Sequence, residues 1–349
     1  MRDGTMMAIQ YHEQGGPQVL TYEAVPVPEP AHGEVLVRVH AAGVNPPDWY
    51  ARRGFAAIPP ELRPKIPLPA IPGSDLSGTV VAVAPGVTRW QVGDAVFGMV
   101  RFPSLGNGAR AYAEYATAPE DHLAAKPAGV SHVEAAGVPM AGLTAYQQLF
   151  GGLGTGLTGA EPRDFTPLVP GADALPGTAL AGRTVLVNGA AGGVGHFLTQ
   201  LTRLQGATVV AVASGRHETF LRSLGAERFV DYTRQSPAEA VHDVDHLFDT
   251  VGGPQAYRLL PALRDGGVIS PIFYGDFHRE DASARGITFR SGQVRSDGAQ
   301  LAHLARLLDD GSLRVGLDST YPLADAAKAH ERAERGHIQG KIVLAVAPD

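Results

Sequence analysis

The chain contains no cysteine. That absence excludes disulfides, thiolate zinc centres, iron–sulfur clusters and a cysteine nucleophile, while leaving the redox compartment open. An excess of one charge is also missing. There are 29 basic and 35 acidic residues, a formal net charge of −6, and no block of like charge. A basic footprint for nucleic acid and a polybasic membrane patch are therefore both lacking. The longest uncharged run, 135–160, holds seven glycines, Pro139 and two glutamines, so it fails as a membrane span. Met1 to Gln10 has no apolar core of signal-peptide length. The expectation is a soluble, cytoplasmic protein with neither nucleic acid nor membrane as partner.

What is present is ordinary globular material. The 349 residues suggest about two domains. Apolar residues make up 44% and charged residues 18%, enough to build a large core without staples. The 43 glycines and 27 prolines follow no period, so they read as turns. The first 130 residues carry short strand signals between Pro and Gly punctuation. Val35, Val37 and Val39 alternate with Leu36, Arg38 and His40, and Thr79–Ala84 is a second run. A small barrel is expected there.

From Thr184 the pattern changes to alternating strands and helices. Candidate strands are Thr184–Asn188, Thr208–Ala213, Arg228–Tyr232, His246–Thr250, Gly267–Phe273 and Ile287–Ser291. Between the first two, Val194, Phe197, Leu198, Leu201 and Leu204 fall on one helical face. Six strands with intervening helices predict an α/β fold with a doubly wound parallel sheet. A further helix around Leu301–Leu308, a polar helix near Asp325–Gly336 and a strand at Lys341–Val346 follow. The segment Gly151–Gly182, with eight glycines and four prolines, reads as a surface insertion.

The strongest local signal is the run from Thr184 to Gly195, an apolar strand that enters a glycine-rich turn and opens a helix. This is the context of a dinucleotide fingerprint, here in the form Ala190-x-Gly192-Gly193-x-Gly195. Gly192 and Gly193 would let a pyrophosphate approach the backbone, and the helix start would supply N–H groups and a favourable dipole. Gly195 would allow tight helix–strand packing. Either a nicotinamide or a flavin dinucleotide could use such a turn. After the second strand the chain reads Ser214-Gly215-Arg216-His217, where NAD selection would place Asp or Glu. A hydroxyl beside a guanidinium suits a 2′-phosphate, which favours NADPH. His242 and His246 are spaced for a metal-binding helix face, but His246 already opens a strand, so no metal site is expected.

Several further stretches carry a resemblance to a known family. They are Ala41-Ala-Gly-Val-Asn-Pro-Pro-Asp48, Pro72-Gly-Ser-Asp-Leu-Ser-Gly78, Gly142-Leu-Thr-Ala-Tyr146, the Gly192 turn, Asp249-Thr-Val-Gly-Gly253 and Gly340-Lys-Ile-Val-Leu344. With these the chain resembles the medium-chain dehydrogenase/reductase superfamily, in its zinc-independent branch of quinone oxidoreductases and enone or enoyl reductases. The resemblance implies a GroES-like β-barrel catalytic domain from residues 1–138 and 295–349, around a Rossmann NADP-binding domain at 139–294. It also implies a homodimer. Zinc-dependent members place Cys where this chain has Asn45, and Gly-His-Glu where it has Gly73-Ser74-Asp75. Without thiolate and His, the usual tetrahedral site cannot be built.

The same resemblance places Asn45 and Tyr50 near the nicotinamide and Tyr232 on the adenine ribose. It implies further cofactor contacts from Thr144, Ala191, Gly192, Gly193, Val194, Ser214, Gly215, Arg216, Val251, Ile272, Phe273 and Tyr274. The leading expectation is hydride transfer from NADPH to a quinone or an enone. Tyr50 is the candidate donor to the developing enolate oxygen, and Asn45 positions substrate or nicotinamide. Two other readings stay open at this level: an enzyme tailoring a larger secondary metabolite, and a non-catalytic NADPH-binding protein.

Overall fold

A computed structural model describes residues 4–56, 58, 60, 63–102, 110–151, 153 and 177–347. Most of the 151–182 insertion lies outside the described residues. The chain divides into two compact units. One comprises 1–143, 295–337 and 341–349, and the other 144–294 and 338–340. The boundary falls inside a helix, so it lies five residues beyond the 139 expected from sequence.

The first unit is built on β-structure. Strands β1 (Thr5–Gln10) and β2 (Thr21–Pro26) pair antiparallel. The long β3 (Glu34–Val44) buries Val35, Val37 and Val39 and exposes Arg38 as its alternation predicts, but Leu36, on the face of Arg38, is buried as well. Asn45 then caps a seven-residue helix α1 (Pro46–Arg52), opened by two prolines whose missing N–H groups cost nothing in the first turn. Next come β4 (Asp75–Val83), β5 (Ala95–Met99), β6 (Tyr115–Pro119), β7 (Leu123–Ala125), the short α2 (His132–Ala136) and α3 (Pro139–Phe150).

The second unit opens with β8 (Thr184–Asn188), α4 (Gly195–Leu204), β9 (Thr208–Ala213), α5 (Glu218–Ser223), β10 (Arg228–Asp231) and α6 (Pro237–Ala240). It continues with β11 (Val244–Asp249), β12 (Leu263–Pro271), α7 (Arg279–Ala284) and β13 (Thr288–Phe289). All six strands run parallel in the order β10-β9-β8-β11-β12-β13. In chain order this is 3-2-1-4-5-6, the doubly wound arrangement that reverses direction beside β8. Helix α4 buries Phe197, Leu198 and Leu201 completely, worth roughly 1.5–3 kcal/mol for each side chain. Its buried Thr199 and Thr202 hydroxyls are satisfied by the carbonyls of Gly195 and Leu198 at 3.0 and 2.7 Å.

The chain then returns to the first unit with α8 (Gly298–Asp309), β14 (Leu317–Pro322), α9 (Ala326–Glu334) and β15 (Lys341–Ala345). Strand β15 pairs antiparallel with β3, Ile342 opposite Val44, giving the sheet order β14-β15-β3-β4-β5-β7 with β6 also on β3. This register brings the chain's last strand against the end of β3, beside the corner that leads into α1. No helix among the described residues is long and apolar enough to cross a membrane.

Candidate active site

In the second unit, the residues singled out from sequence gather at the carboxyl ends of the parallel strands, where open α/β sheets bind ligands. The turn after β8 runs from Gly189 to Val194. A Cβ on Gly195 would lie 2.3 Å from the Gly189 carbonyl oxygen and 2.7 Å from Ala190 Cα, so only glycine fits. The start of α4 has no side-chain cap, and the N–H groups of Gly193 and Val194 have no backbone partner. These uncommitted donors at a helix start fit a pyrophosphate. Ala191 accepts from the Gly340 N–H at 2.7 Å, which pins the turn from its other side.

Beyond β9, Ser214 is half-buried and Gly215 and Arg216 are exposed. Arg216 Nε donates to His217 Nε2 at 3.1 Å, and His217 Nδ1 meets Gln339 Oε1 at 3.0 Å. The guanidinium is thus braced. The sequence shows no carboxylate at Ser214, yet the fold supplies one nearby. A Cβ on Gly215 would lie 2.5 Å from Asp231 Oδ2, at the end of β10. Hydrogen bonds from Thr233 and Gly215 hold that carboxyl below its ordinary range. Tyr232, next along the chain, is largely exposed.

A third turn follows β11. Asp249 is fully buried, and its Oδ1 accepts from Asn188 Nδ2 at 2.8 Å and from the N–H groups of Val251 and Gly252 at 3.0 and 3.1 Å. One carboxylate therefore ties the β8 end to the 250–253 loop. Val251, Phe273 and Tyr274 are exposed beside it, Ile272 is half-buried, and the Gly253 N–H donates to Tyr274 O at 2.9 Å. Sequence reasoning assigned Val251 here and missed Asp249. The available signal was an acid ending an apolar strand directly before a loop with two glycines. His246 lies inside β11 with Nε2 2.9 Å from Ser270 Oγ, while His242 is exposed in the preceding loop, so the pair forms no helix face. Thr144, in α3, is buried.

In the first unit Asn45 belongs to a buried polar cluster. Its side chain is buried, and both amide atoms are committed within the unit. Nδ2 donates to Asp75 Oδ2 at 2.9 Å, and Oδ1 accepts from Lys341 Nζ. Asp75 also receives the Met140 N–H at 3.0 and 3.1 Å, at the first turn of α3. Lys341 Nζ donates to Val44 O at 3.0 Å. Asp48 Oδ2 accepts from the Asn45 N–H at 2.9 Å and from Tyr112 Oη at 3.1 Å. Tyr112 Oη in turn lies 3.3 Å from His330 Nε2. Asp48, Asp75, Lys341 and Tyr112 are all buried.

Electrostatics follow from this burial. Loss of water pushes Asp48 up to about 7 and Asp75 up to about 6, with Lys341 and hydrogen bonds opposing the rise in both. Burial lowers Lys341, and the two carboxylates offset part of that. It also drives His330 down to about 3, so this imidazole is neutral at physiological pH. Tyr50, half-buried on α1 with its ring edge-on to Trp49, is pushed up to about 12 by burial. Its hydroxyl therefore stays protonated in the neutral range and is able to donate a hydrogen bond.

A doubly wound sheet with an uncapped phosphate-type turn, joined to a barrel unit with a buried polar cluster, defines a two-domain nicotinamide-dependent oxidoreductase. Residues 31–128 match the alcohol dehydrogenase GroES-like domain, and residues 224–344 match the zinc-binding dehydrogenase domain. The chain is 31% identical to the chloroplast envelope quinone oxidoreductase homolog of Arabidopsis thaliana, covering 97% of this chain and 98% of that protein. It is also 31% identical to the chloroplastic NADPH-dependent alkenal/one oxidoreductase of the same plant, covering 98% and 80%. The solved quinone oxidoreductase of Coxiella burnetii superimposes with a TM-score of 0.82 at 32% identity, over 98% of this chain and 99% of that one. The chain belongs to the medium-chain dehydrogenase/reductase family, in its quinone oxidoreductase branch.

Proposed function

We propose that the protein transfers hydride from NADPH to a conjugated carbonyl, a quinone or an enone, without a metal ion. The observation that carries this reading is the phosphate turn at Gly189–Gly195, whose uncommitted N–H groups fit a dinucleotide, in a chain related to quinone and alkenal/one reductases. Bound NADPH supplies the hydride. The chain's own work is to hold the pyrophosphate at Gly192–Val194, hold the 2′-phosphate with Ser214 and Arg216, and shape the loop at Val251 through Asp249. Tyr50 donates a hydrogen bond to the oxygen on which negative charge develops, and a hydrogen bond that strengthens as charge develops lowers the barrier.

Metal independence is supported by the donor set. The chain has no thiolate, and Asp75, where zinc-dependent members carry Glu, already accepts from Asn45 and Met140. The reading extends to a cytoplasmic homodimer. A panel of quinones and enones followed at 340 nm with NADPH and with NADH tests it. Consumption of NADPH that survives dialysis against a chelator is expected. Activity lost with the chelator and restored by zinc would overturn metal independence. Cofactor binding without consumption by any acceptor would favour a binding protein.

A further inference from the structure

The first unit carries a cavity that none of the candidate site residues lines. It has a volume of about 370 Å³ and is bounded by the β1–β2 hairpin, the segment Ile66–Ile71, Arg110 and Tyr115. A small apolar cluster underlies it. Met6 and Val25, opposite each other in the hairpin, are buried, while Val27, Ile71 and Tyr115 pack against that cluster and are only partly buried. The surrounding backbone is tied together. Tyr11, just beyond β1, and Ala70 exchange two backbone hydrogen bonds of 3.0 Å, and the Glu114 N–H donates to Met7 O at 3.0 Å. The cavity is therefore preformed, and its size falls in the range of small-molecule sites. It is more than twice the roughly 150 Å³ of a void that holds one benzene.

Three polar side chains join this apolar lining: Gln10, Arg110 and Tyr115. None of them makes a hydrogen bond or ion pair with another described residue. Arg110 is exposed, and among the described residues it is the one charged member of the lining. Glu114, beside Tyr115, accepts from the Met7 N–H at 2.8 Å and does not line the cavity. Four of the lining residues are prolines, which have no N–H to offer an anion, so recognition falls to side chains. Arg110 also holds a positive φ of 94°, a costly conformation for a residue with a Cβ, and strain of this kind collects at ligand sites. A guanidinium on an apolar cavity without an acid complements a ligand with an apolar body and one carboxylate. We propose that this cavity binds an apolar monocarboxylate about twice the size of benzene. Its body packs on Met6, Val25 and Ile71, and its carboxylate meets Arg110, with Gln10 and Tyr115 as further donors. The site is built from the first unit alone and depends on neither NADPH nor the reductase reading.

The test uses 2-naphthoate, titrated by fluorescence into the full chain without NADPH, with carbon-13 methyl labelling of the methionines to report the place. Saturable binding with a Kd of about 0.1 mM or tighter is expected. The Met6 methyl resonance should move, while those of Met99 and Met140, which do not line the cavity, should stay. Arg110→Gln changes an exposed residue and should leave the fold intact. It should weaken naphthoate about tenfold at low salt and less at high salt. The neutral isostere 2-naphthylmethanol should bind wild type about tenfold more weakly than the acid, and Arg110→Gln should not alter its affinity. Val27→Trp should fill the cavity and abolish binding of both probes, and if it does not fold, Arg110→Gln and the neutral isostere decide. An unmoved Met6 methyl, equal naphthoate affinity in wild type and Arg110→Gln, or an alcohol that binds as tightly as the acid would each overturn the proposal. Naphthoate displaced by NADPH with the Met6 methyl unmoved would put the anion at the phosphate turn and overturn it as well.

Discussion

The two units place their functional groups by different means. In the sheet unit the candidate site is made of backbone. A Cβ-free turn, an uncapped helix start and a loop tied down by Asp249 all sit at strand ends adjacent in the sheet. In the barrel unit the candidate residues form a buried cluster of side chains. Asn45, Asp75 and Lys341 are gathered from residues up to 296 positions apart by the pairing of β15 with β3 and of β3 with β4. A backbone site depends on local sequence and tolerates change elsewhere. A side-chain site depends on topology, and each member is exposed to the loss of any other.

The largest effect should sharpen the first half of this contrast. A Cβ on Gly192 would meet only the Gly189 carbonyl oxygen, at an ordinary 3.4 Å. Gly192→Val should therefore leave thermal stability close to wild type while weakening NADPH by about a hundredfold or more, because the added methyls occupy the approach of the pyrophosphate. Fluorescence titration and a melting curve check both parts. A variant that binds normally would show that the phosphate lies elsewhere.

Asp249→Ala comes next. It removes the acceptor shared by Asn188, Val251 and Gly252. Hydrogen bonds to a charged group are worth roughly 1.5–3 kcal/mol, so KM for NADPH should rise about tenfold or more while KM for the acceptor changes little. A purely structural carboxylate would lower the melting temperature and leave both KM values in place.

Much of the sheet unit was legible because its signals are contiguous. The strand, glycine turn and apolar helix from Thr184 to Leu204 form one uninterrupted pattern, and Gly195 is required by contacts within six residues of itself. The barrel cluster was legible only as separate strings. Asn45, Asp48 and Asp75 stand in the motifs, but nothing local shows that both acids are buried or that Lys341 reaches Asn45. That knowledge needs the β15–β3 register. Asp231 was missed for the same reason, since its approach to Gly215 depends on β10 lying beside β9.

Tyr50→Phe probes the barrel side. The hydroxyl is held protonated by burial, so the ring stays and only a donor is lost. Turnover should drop about tenfold with NADPH binding unchanged, and an unaltered kcat would move the donor to water or another residue. Asp231→Asn should have a smaller effect. Removing a carboxylate beside Gly215 relieves repulsion toward a 2′-phosphate at an exposed position, so the NADPH preference should rise only a few-fold and less at high salt. No change in the NADPH to NADH affinity ratio would show that the carboxylate lies beyond reach of the ribose.

Burial also makes the stability of the barrel cluster depend on pH. Asp75 has its folded value raised above the unfolded one, so its contribution to stability is fully present below about pH 4 and is lost as pH rises through about 6. Comparison with Asp75→Asn isolates this group from His330, whose depressed value works in the opposite direction. Relative to wild type, the variant should gain a few degrees in melting temperature between about pH 4 and about pH 7, and a constant gap across that range would contradict the assignment.

The central claim is hydride transfer to a conjugated acceptor without a metal, and the position of the transferred hydrogen tests it most directly. Chelator-dialysed protein supplied with NADPH deuterated at the transferring position of nicotinamide C4 and a simple enone should give a saturated ketone with deuterium on the β-carbon and solvent hydrogen on the α-carbon. Deuterium on the carbonyl carbon, or transfer that appears only when zinc is returned, would contradict the account.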